Sequence, residues 1–557
     1  MTNKEIASVF KLCGQLMELH QENSFRTKAI SNAAFRIDKL PFKAEDSNLE
    51  ELSEQPLIGK STAEKIIQVI QTGSFPELEK LKDKTPEGVV DLLKIKGLGP
   101  KKVQIIWQDL QIESVGELYY ACNENRLIEA KGFGLKTQED IKKSIEFTIA
   151  NQGWFLYAKT KQAAESVMNS LQQALPQSKL SFTGDFRRKT EILQRVHLLM
   201  AGTTSDIHQV LEALAYEQDT NTESGKLQFK DQFGIPYEII FTKEETFYKD
   251  LILTTGSEEH VSQVLALGSI PEANSEESIY QSLGLAYIEP ELREGFQEVE
   301  QAKKQALPTL IEYSDLKGSL HNHSTYSDGV HSLKEMAIYC KEELKLEYLG
   351  ICDHSKTAVY ANGLSIERLE QQWLEIDQLN QTLAPFKIFK GIESDILGDG
   401  SLDYPDDILS RFDFVVASIH SNLKMQEEKA TERLIKAIEN PYTSMLGHPT
   451  GRLLLSRSGY PIDYKKVIDA CAANQVVIEI NANPLRLDLD WRWHQYALEK
   501  GVLLSINPDA HRKEGFLDME YGVYVARKGG LSKEKCLNAY PLEEIEQFFN
   551  SRKNQIK

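Results

Sequence analysis

Residues 318–329 read Gly-Ser-Leu-His-Asn-His-Ser-Thr-Tyr-Ser-Asp-Gly, and residues 502–511 read Val-Leu-Leu-Ser-Ile-Asn-Pro-Asp-Ala-His. Each is a short strand-like run that ends in metal-ligating side chains two positions apart. In extended backbone, residues i and i+2 point the same way, so His321 and His323 present two imidazoles to one point. Asp509 and His511 repeat that geometry. Between the two stretches, His354 (Asp-His-Ser), Glu393 (Gly-Ile-Glu-Ser), His420 (Ser-Ile-His-Ser) and His448 (Gly-His-Pro) each follow an apolar run. Of the 12 histidines, eight lie after residue 320, and six of those stand just past an expected strand end. A single histidine so placed is commonly a hydrogen-bonded structural residue, and His331 and His494, which end no strand, read that way. Nine candidates, Asp328 of the first stretch included, gathered after six strand ends would need many independent coincidences.

The surrounding rhythm is apolar strand, polar loop, amphipathic helix. Strands are expected at 318–320, 348–352, 388–392, 412–419, 444–446, 476–480 and 502–506, with helix-compatible segments after most of them. That is the pattern of parallel βα units, and seven of them suggest a closed or nearly closed α/β barrel. The C-terminal rim of such a barrel collects all the strand ends. Imidazole and carboxylate donors suit Zn²⁺, Mn²⁺ or Fe²⁺, and the lack of thiolates disfavours a purely structural zinc site.

At 557 residues the chain is too long for one core. It is 41% hydrophobic and 26% charged, an ordinary globular composition with no run of about 18 apolar residues that could span a membrane. The start of the sequence carries no apolar leader. Its six cysteines are scattered without a C-x-x-C pair, which reads as reduced buried thiols in a cytoplasmic protein. A net charge of −19 disfavours a strongly electrostatic nucleic-acid binder. The first 150 residues, however, hold 21 Lys and Arg against 23 Asp and Glu. If any part of the chain touches DNA, that nearly neutral part is the better candidate. It reads as short helices broken at Gly and Pro; residues 150–300 mix strands, such as 195–200 and 237–241, with helices; a helix-favouring stretch over 291–305 leads to Pro308.

With these motifs in view, residues 317–557 resemble the PHP (polymerase and histidinol phosphatase) domain in motif order and spacing. The resemblance implies a distorted seven-stranded barrel holding two to three divalent ions, Mn²⁺, Zn²⁺ or Fe²⁺. The implied ligands are His321, His323, Asp328, His354, Glu393, His420, His448, Asp509 and His511. It also implies hydrolysis of a phosphate ester, because clustered divalent ions activate water and neutralise phosphoryl oxygens. Arg452, in Gly-His-Pro-Thr-Gly-Arg, is a candidate phosphate clamp and equally a structural ion-pair partner.

Two segments look like helix-hairpin-helix turns: Pro-Leu-Ile-Gly-Lys at 56–60, and Ile-Lys-Gly-Leu-Gly-Pro-Lys-Lys at 95–102. A Gly-rich turn that opens a helix offers backbone N–H groups to a DNA phosphate without reading sequence. Gly59, Gly97, Gly99, Lys101 and Lys102 are the candidate DNA contacts. Residues 131–136 form a weaker third copy, and Leu57 stands where a Gly is expected in the first.

Together with Gly-Asp-Phe-Arg-Arg (184–188), Phe-Gly-Ile-Pro-Tyr-Glu (233–238), Thr-Gly-Ser-x-x-His (255–260) and the segment 279–293, these turns resemble the bacterial family X DNA polymerases, which carry a C-terminal PHP domain. The resemblance covers essentially the whole chain. It implies a helical DNA-binding domain at 1–75, helix-hairpin-helix fingers at 76–148, an α+β nucleotidyltransferase-like palm at 149–250, a thumb at 251–300, a linker at 301–316 and the PHP domain at 317–557. The implied partner is gapped, recessed or damaged duplex DNA, bound independently of sequence by a monomer.

The palm departs from the family at its metal site. Counted forward from Arg188 without a gap, the two Asp-x-Asp carboxylates fall on Arg195 and His197, and no Asp lies between Phe186 and Thr204. Arg cannot ligate a metal, imidazole is a poor Mg²⁺ ligand, and Asp185 replaces the Ser of the triphosphate-binding turn. Glu238 alone matches a family carboxylate. The expectation is an inactive palm beside a live 3′–5′ exonuclease or related DNA phosphoesterase. Alternatives are an active gap-filling polymerase with 3′–5′ exonuclease, a small-molecule phosphatase of the histidinol-phosphate type, and a non-catalytic DNA scaffold. Lys65 matches the Schiff-base lysine of lyase-active members, but its Ala-Glu-Lys setting reads as a solvated helix face.

Overall fold

The computed structural model describes residues 1–556 except 41, 57, 129, 151, 152, 215 and 219–224, so Leu57 lies outside the described residues. Backbone contacts divide the chain into two compact units, Met1–Thr148 and Ile149–Lys557.

The first unit is helical throughout. Its helices start where side chains satisfy the orphan N–H groups of a first turn. Thr2 and Glu5 form a capping box ahead of Asn3–Leu19, Asn23 caps Ser24–Asp38, and Asn48 pairs with Glu51 ahead of Leu49–Ser53. Lys60–Thr72 ends at Gly73 in the left-handed conformation, and Pro76 occupies the first turn of Pro76–Asp83. Ile6, Phe10, Ile66 and Val69 are fully buried, and Phe10 packs on Phe75 with ring centroids 5.2 Å apart.

The second unit begins with a five-stranded sheet in the order Leu180–Thr183, Val196–Ala201, Pro236–Thr242, Lys226–Lys230, Glu217–Gln218. Only its central pair, Val196–Ala201 with Pro236–Thr242, is parallel. Helices Tyr157–Ala174 and Thr204–Ala213 supply Val167, Leu171, Ile207 and Leu211 to its core. A small helical cluster follows (Phe247–Thr255, Glu258–Leu265, Glu276–Ser282, Glu298–Lys303), packed around Ile252, Val264, Ile279 and Tyr280. The expected linker at 301–316 is not a free tether. Ile311 is fully buried, and its N–H donates to the Leu531 carbonyl at 2.9 Å.

From residue 318 onward every named strand pairing is parallel. Gly318–Ser319, Tyr348–Ile351 and Lys387–Lys390 form one sheet; Glu393–Asp395, Val416–Ser418, Met445–Leu446, Val477–Asn481 and Leu504–Asn507 form another. The single strand expected at 388–392 is thus two strands, broken at Gly391. A Cβ there would come 2.6 Å from the Phe414 ring and 2.7 Å from Cys352 Sγ, so the chain passes only as glycine. Isolated parallel bridges join His354 to Glu393 and Asn322 to Ala510, linking the ends of the two sheets. Helices Leu333–Ile338, Ile366–Leu383, Glu427–Ile438, Tyr464–Asn474 and Met519–Lys528 follow successive strands.

The period of two decides what each strand face meets. Ile351, Ala417 and Ile478 join the large core under these helices, whereas Cys352, Val416 and Val477 pack with Phe414, Ile545 and Phe549. Two positions further along that second face stand His354, Ser418 and Glu479. Each strand is apolar at one end and polar at the other, and the polar ends meet.

All six cysteines are buried and unbridged. Among the described residues no helix is long and apolar enough to cross a membrane.

Candidate metal centre

Glu393 is the hub of the polar ends. Its carboxylate lies 2.9 Å from His448 Nε2, 3.0 Å from His354 Nδ1, 3.1 Å from His420 Nε2, 3.4 Å from His321 Nε2 and 3.6 Å from His323 Nε2. On one side His323 Nε2 meets Asp509 at 3.0 Å; on the other, Asp328 lies 3.3 Å from His511 Nε2 and 3.6 Å from His354 Nε2. All nine side chains named from the sequence therefore gather in one cluster. Within it, three sets place one potential ligand atom per residue within 4.8 Å of each other: His323, Asp328, His354 and His511; His321, His323 and Glu393; His354, Glu393 and His420.

The donor atoms suit metal ions. His321 Nε2, His323 Nδ1, both ring nitrogens of His354, His448 Nδ1 and Glu393 Oε2 are buried and make no hydrogen bond of acceptable geometry to a described residue. Buried polar atoms left this way are rare, and a site of nitrogen and oxygen donors without sulfur fits divalent ions.

Charge within the cluster is strongly coupled. Burial drives His323 down to about 3, helped by His511 and His354. Burial also opposes charging of His420, yet Glu393 and Asp395 raise it to about 9. Glu393 and Asp509 lie well below the ordinary carboxylate range because the surrounding imidazoles outweigh their desolvation. His321 and His420, which the neighbouring carboxylates raise against the effect of burial, are the counter-charges within the cluster, whereas His323 stays neutral.

Several residues that the sequence did not single out hold the cluster in place. Glu479 accepts from His321 Nδ1 at 2.7 Å and from the His448 backbone N–H at 2.7 Å. Asp395 pairs with His420 Nδ1 at 2.5 Å. Asp353, whose pKa burial raises, accepts from Ser324, Ser327 and Gln372, fixing the loop that carries Asp328. Such partners set the tautomer and direction of ligating side chains. Of the two histidines read as structural, His494 is buried against the Leu489 carbonyl at 3.1 Å, and His331 Nδ1 faces the Lys513 backbone N–H.

Of the two readings of Arg452, the structure shows the ion-pair partner. Each of its three nitrogens donates within the protein, Nε to the Arg486 carbonyl, Nη1 to Asp490 and Nη2 to the Leu487 carbonyl. The buried arginine beside the cluster is instead Arg486, with Nε 4.0 Å from Asp509.

In the sheet of residues 180–242, register sets His197 directly against Glu238. Arg195 donates to the Glu238 carboxylate at 3.1 Å, Gln228 at 2.8 Å, and Lys226 lies 3.2 Å away. Asp185 is paired to Arg188 at 2.5 Å. The Glu238 carboxylate is thus flanked by two cations and one amide.

In the helical unit, Gly59 and Gly99 stand at the N-caps of Lys60–Thr72 and Pro100–Gln104 without a side-chain cap. Gly97 adopts φ +93°, and nothing lies within 4 Å of a Cβ built at 59, 97 or 99. Both turns leave open space over their backbone. Lys101 is exposed; Lys102 reaches back to the Gly97 carbonyl at 3.3 Å and lies over the Phe133 ring. Lys65 is ion-paired to Glu77 at 2.6 Å.

Residues 1–75 match a family model described as a helix-hairpin-helix domain, and residues 89–146 one described as a SAM-like helix-hairpin-helix tandem. The chain is 34% identical to the DNA polymerase/3′-5′ exonuclease PolX of Bacillus subtilis, over 98% of this chain and 99% of that protein. A probable phosphatase of Thermoanaerobacter is 29% identical over 32% of this chain and 74% of its own length. A probable phosphatase of Acetivibrio thermocellus is 29% identical over 42% of this chain and 96% of its own length.

Proposed function

The chain belongs to the PolX family of bacterial DNA polymerase/3′–5′ exonucleases, and from that membership we propose that it is a DNA-repair nuclease whose working chemistry is metal-dependent phosphoester hydrolysis. The observation that carries this reading is the convergence of five imidazoles on the Glu393 carboxylate, each within 3.6 Å. His321, His323, Asp328, His354, Glu393, His420, His448, Asp509 and His511 would hold two to three divalent ions, Mn²⁺, Zn²⁺ or Fe²⁺. Bound there, such ions polarise a phosphoryl group, lower the pKa of water and neutralise the leaving oxygen. Glu479 and Asp395 hold His321 and His420 in their ligating orientation.

The strands from residue 318 onward are read as one distorted barrel, its two sheets joined through the Asn322–Ala510 and His354–Glu393 bridges. Residues 1–75 and 76–148 bind gapped, recessed or damaged DNA through backbone N–H groups near Gly59, Gly97 and Gly99, without reading sequence. The palm (149–250) and thumb (251–300) connect them to the phosphoesterase domain (317–557), and the protein acts as a cytoplasmic monomer. The palm does not polymerise, because Arg195 and Lys226 occupy the space and charge balance that metal ions would need at Glu238.

The probable phosphatases among the relatives favour a second reading, hydrolysis of a small phosphomonoester. A 5′-labelled primer–template incubated with Mn²⁺, with and without dNTPs, separates the possibilities. Stepwise shortening from the 3′ end, unaffected by dNTPs, is expected. Extension with dNTPs, or hydrolysis of histidinol phosphate with the DNA left intact, would refute the proposal.

A further inference from the structure

A cleft of about 350 Å³ lies between the thumb and the phosphoesterase domain, lined among others by Phe296, Gln301, Trp491, Arg492 and Gln495. It is small for a ligand site, at the lower end of the range of about 300–1,000 Å³. Three features set it apart from a packing defect. Phe296 is 54% exposed although it sits beside a domain core, and it meets Trp491 edge-on with centroids 5.6 Å apart. The Arg492 guanidinium lies 4.6 Å from the Trp491 ring centroid, its side chain is half exposed, and its Nη1 donates to Asp490 at 3.0 Å. Trp491 itself is 5% exposed, and its Nε1 hydrogen-bonds to no described residue. An indole N–H can only donate, and a buried donor without an acceptor is costly.

An exposed aromatic ring, a half-exposed guanidinium, an unmet N–H donor and two side-chain amides make a surface for a flat heteroaromatic ring with acceptors on its edge. Nucleobases have that chemistry, and unstacked bases are bound by stacking on aromatic rings and on arginine planes. The cleft floor is tied to the metal centre by chain and hydrogen bond: the Leu489 N–H donates to the Glu479 carbonyl at 3.0 Å, and Asp490 braces Arg452. Lys528, which donates to the Arg188 carbonyl at 2.9 Å and to Glu294, also lies over the Trp491 ring, 4.7 Å from its centroid.

We propose that this cleft receives one unstacked nucleobase of a single-stranded DNA segment, holding the strand while its end is processed at the metal centre. The inference rests on DNA being the substrate. Its shared chemistry with a free deoxynucleoside monophosphate is the base, so the test must separate strand from product.

The test uses full-length protein and single-stranded oligonucleotides with a phosphorothioate at the terminal linkage, so that they are not degraded. A single abasic site is walked inward from the 3′ end, and affinity is measured by fluorescence anisotropy for the wild type, Phe296→Ala and Phe296→Tyr. One abasic position is expected to weaken wild-type binding about tenfold. Phe296→Ala should bind intact and abasic strands alike, while Phe296→Tyr restores the difference. If no abasic position matters to the wild type, or if the same position matters equally in Phe296→Ala, the cleft does not hold a base. Competition by a free monophosphate without any abasic effect places the product there and overturns the strand-bound form. Failure of the wild type to bind any strand would instead remove the DNA reading itself.

Discussion

Glu479 accepts a hydrogen bond from His321 Nδ1 at 2.7 Å, and both side chains are fully buried. The contact leaves His321 Nε2 as the nitrogen that faces Glu393, 3.4 Å away. Replacing Glu479 by Gln keeps the shape but removes the charge that makes the imidazole a better donor. Metal affinity is expected to fall about 10- to 100-fold with little change in fold. Elemental analysis after dialysis against graded chelator, with circular dichroism as the control, checks this; unaltered metal retention would dismiss the orienting role.

Much of this centre was legible because its named ligands follow strand-like runs, where two-residue spacing and a change from apolar to polar are local signals. His321 with His323, and Asp509 with His511, carry that signal plainly. Glu479 does not. It lies inside Val477–Asn481, in Val-Ile-Glu-Ile-Asn, where nothing local says that its carboxylate faces two histidines from other strands. Asp353 and Asp395 are hidden likewise, since the side-chain partners named above are 19 or more residues away in sequence. Arg452 was ambiguous in sequence: a lone Arg beside a ligand motif reads equally as a phosphate clamp and as an ion-pair partner, and only the loop from Arg486 to Asp490 shows where its donors go. The break at Gly391 was invisible because it depends on Phe414 and Cys352 closing in from neighbouring strands.

Glu276 sits between Arg187, at 2.5 Å, and the fully buried Arg293, at 2.6 Å. Burial opposes its charge, but the two guanidiniums win and hold its pKa below the ordinary glutamate value. A depressed carboxylate contributes stability that is present above its unfolded pKa of about 4.3 and lost as pH falls through the lower folded value. Glu276→Gln is expected to cost about 3–5 kcal/mol at neutral pH by leaving two guanidiniums without their counter-charge. It should also remove this part of the acid destabilisation below about pH 4. Thermal melts of both proteins between pH 3 and 7 measure it; parallel curves would show that Glu276 is not the titrating group.

Lys101 and Lys102 follow the Gly97–Gly99 turn, but only Lys101 is exposed without a described contact to the turn itself; Lys102 is engaged with the Gly97 carbonyl. Lys101→Ala is expected to weaken DNA binding uniformly across sequences and to reduce the slope of log affinity against log salt by about one. Lys102→Ala should disturb the turn and leave the salt slope near that of the wild type. Titrations of two unrelated gapped duplexes between low and moderate salt test this. A sequence-dependent loss, or an unchanged slope for Lys101→Ala, would count against phosphate contact there.

The palm carries the most exposed prediction: the wild-type protein will not extend a primer. Nucleotidyl transfer needs Mg²⁺ held by clustered carboxylates. Here Glu238 is the only carboxylate of the expected three, and it is already hydrogen-bonded to Arg195 at 3.1 Å and to Gln228 at 2.8 Å, with Lys226 at 3.2 Å. A guanidinium about 4 Å from a unit positive charge is repelled by roughly 4 kcal/mol at an effective dielectric near 20, more for a divalent ion and less where solvent screens it. Moreover, His197 cannot compensate, because burial lowers its pKa and leaves a neutral imidazole facing Glu238 from 3.9 Å. Changing Arg195 and His197 together to Asp should convert this cation-bound carboxylate into a Mn²⁺-binding site, detectable as an added ion in spectroscopy on a His321→Ala/His323→Ala background. The wild type on that background should bind none in the palm. Template-dependent incorporation by the wild type that disappears in Glu238→Ala would establish a live palm, and with it a metal site assembled from residues other than these.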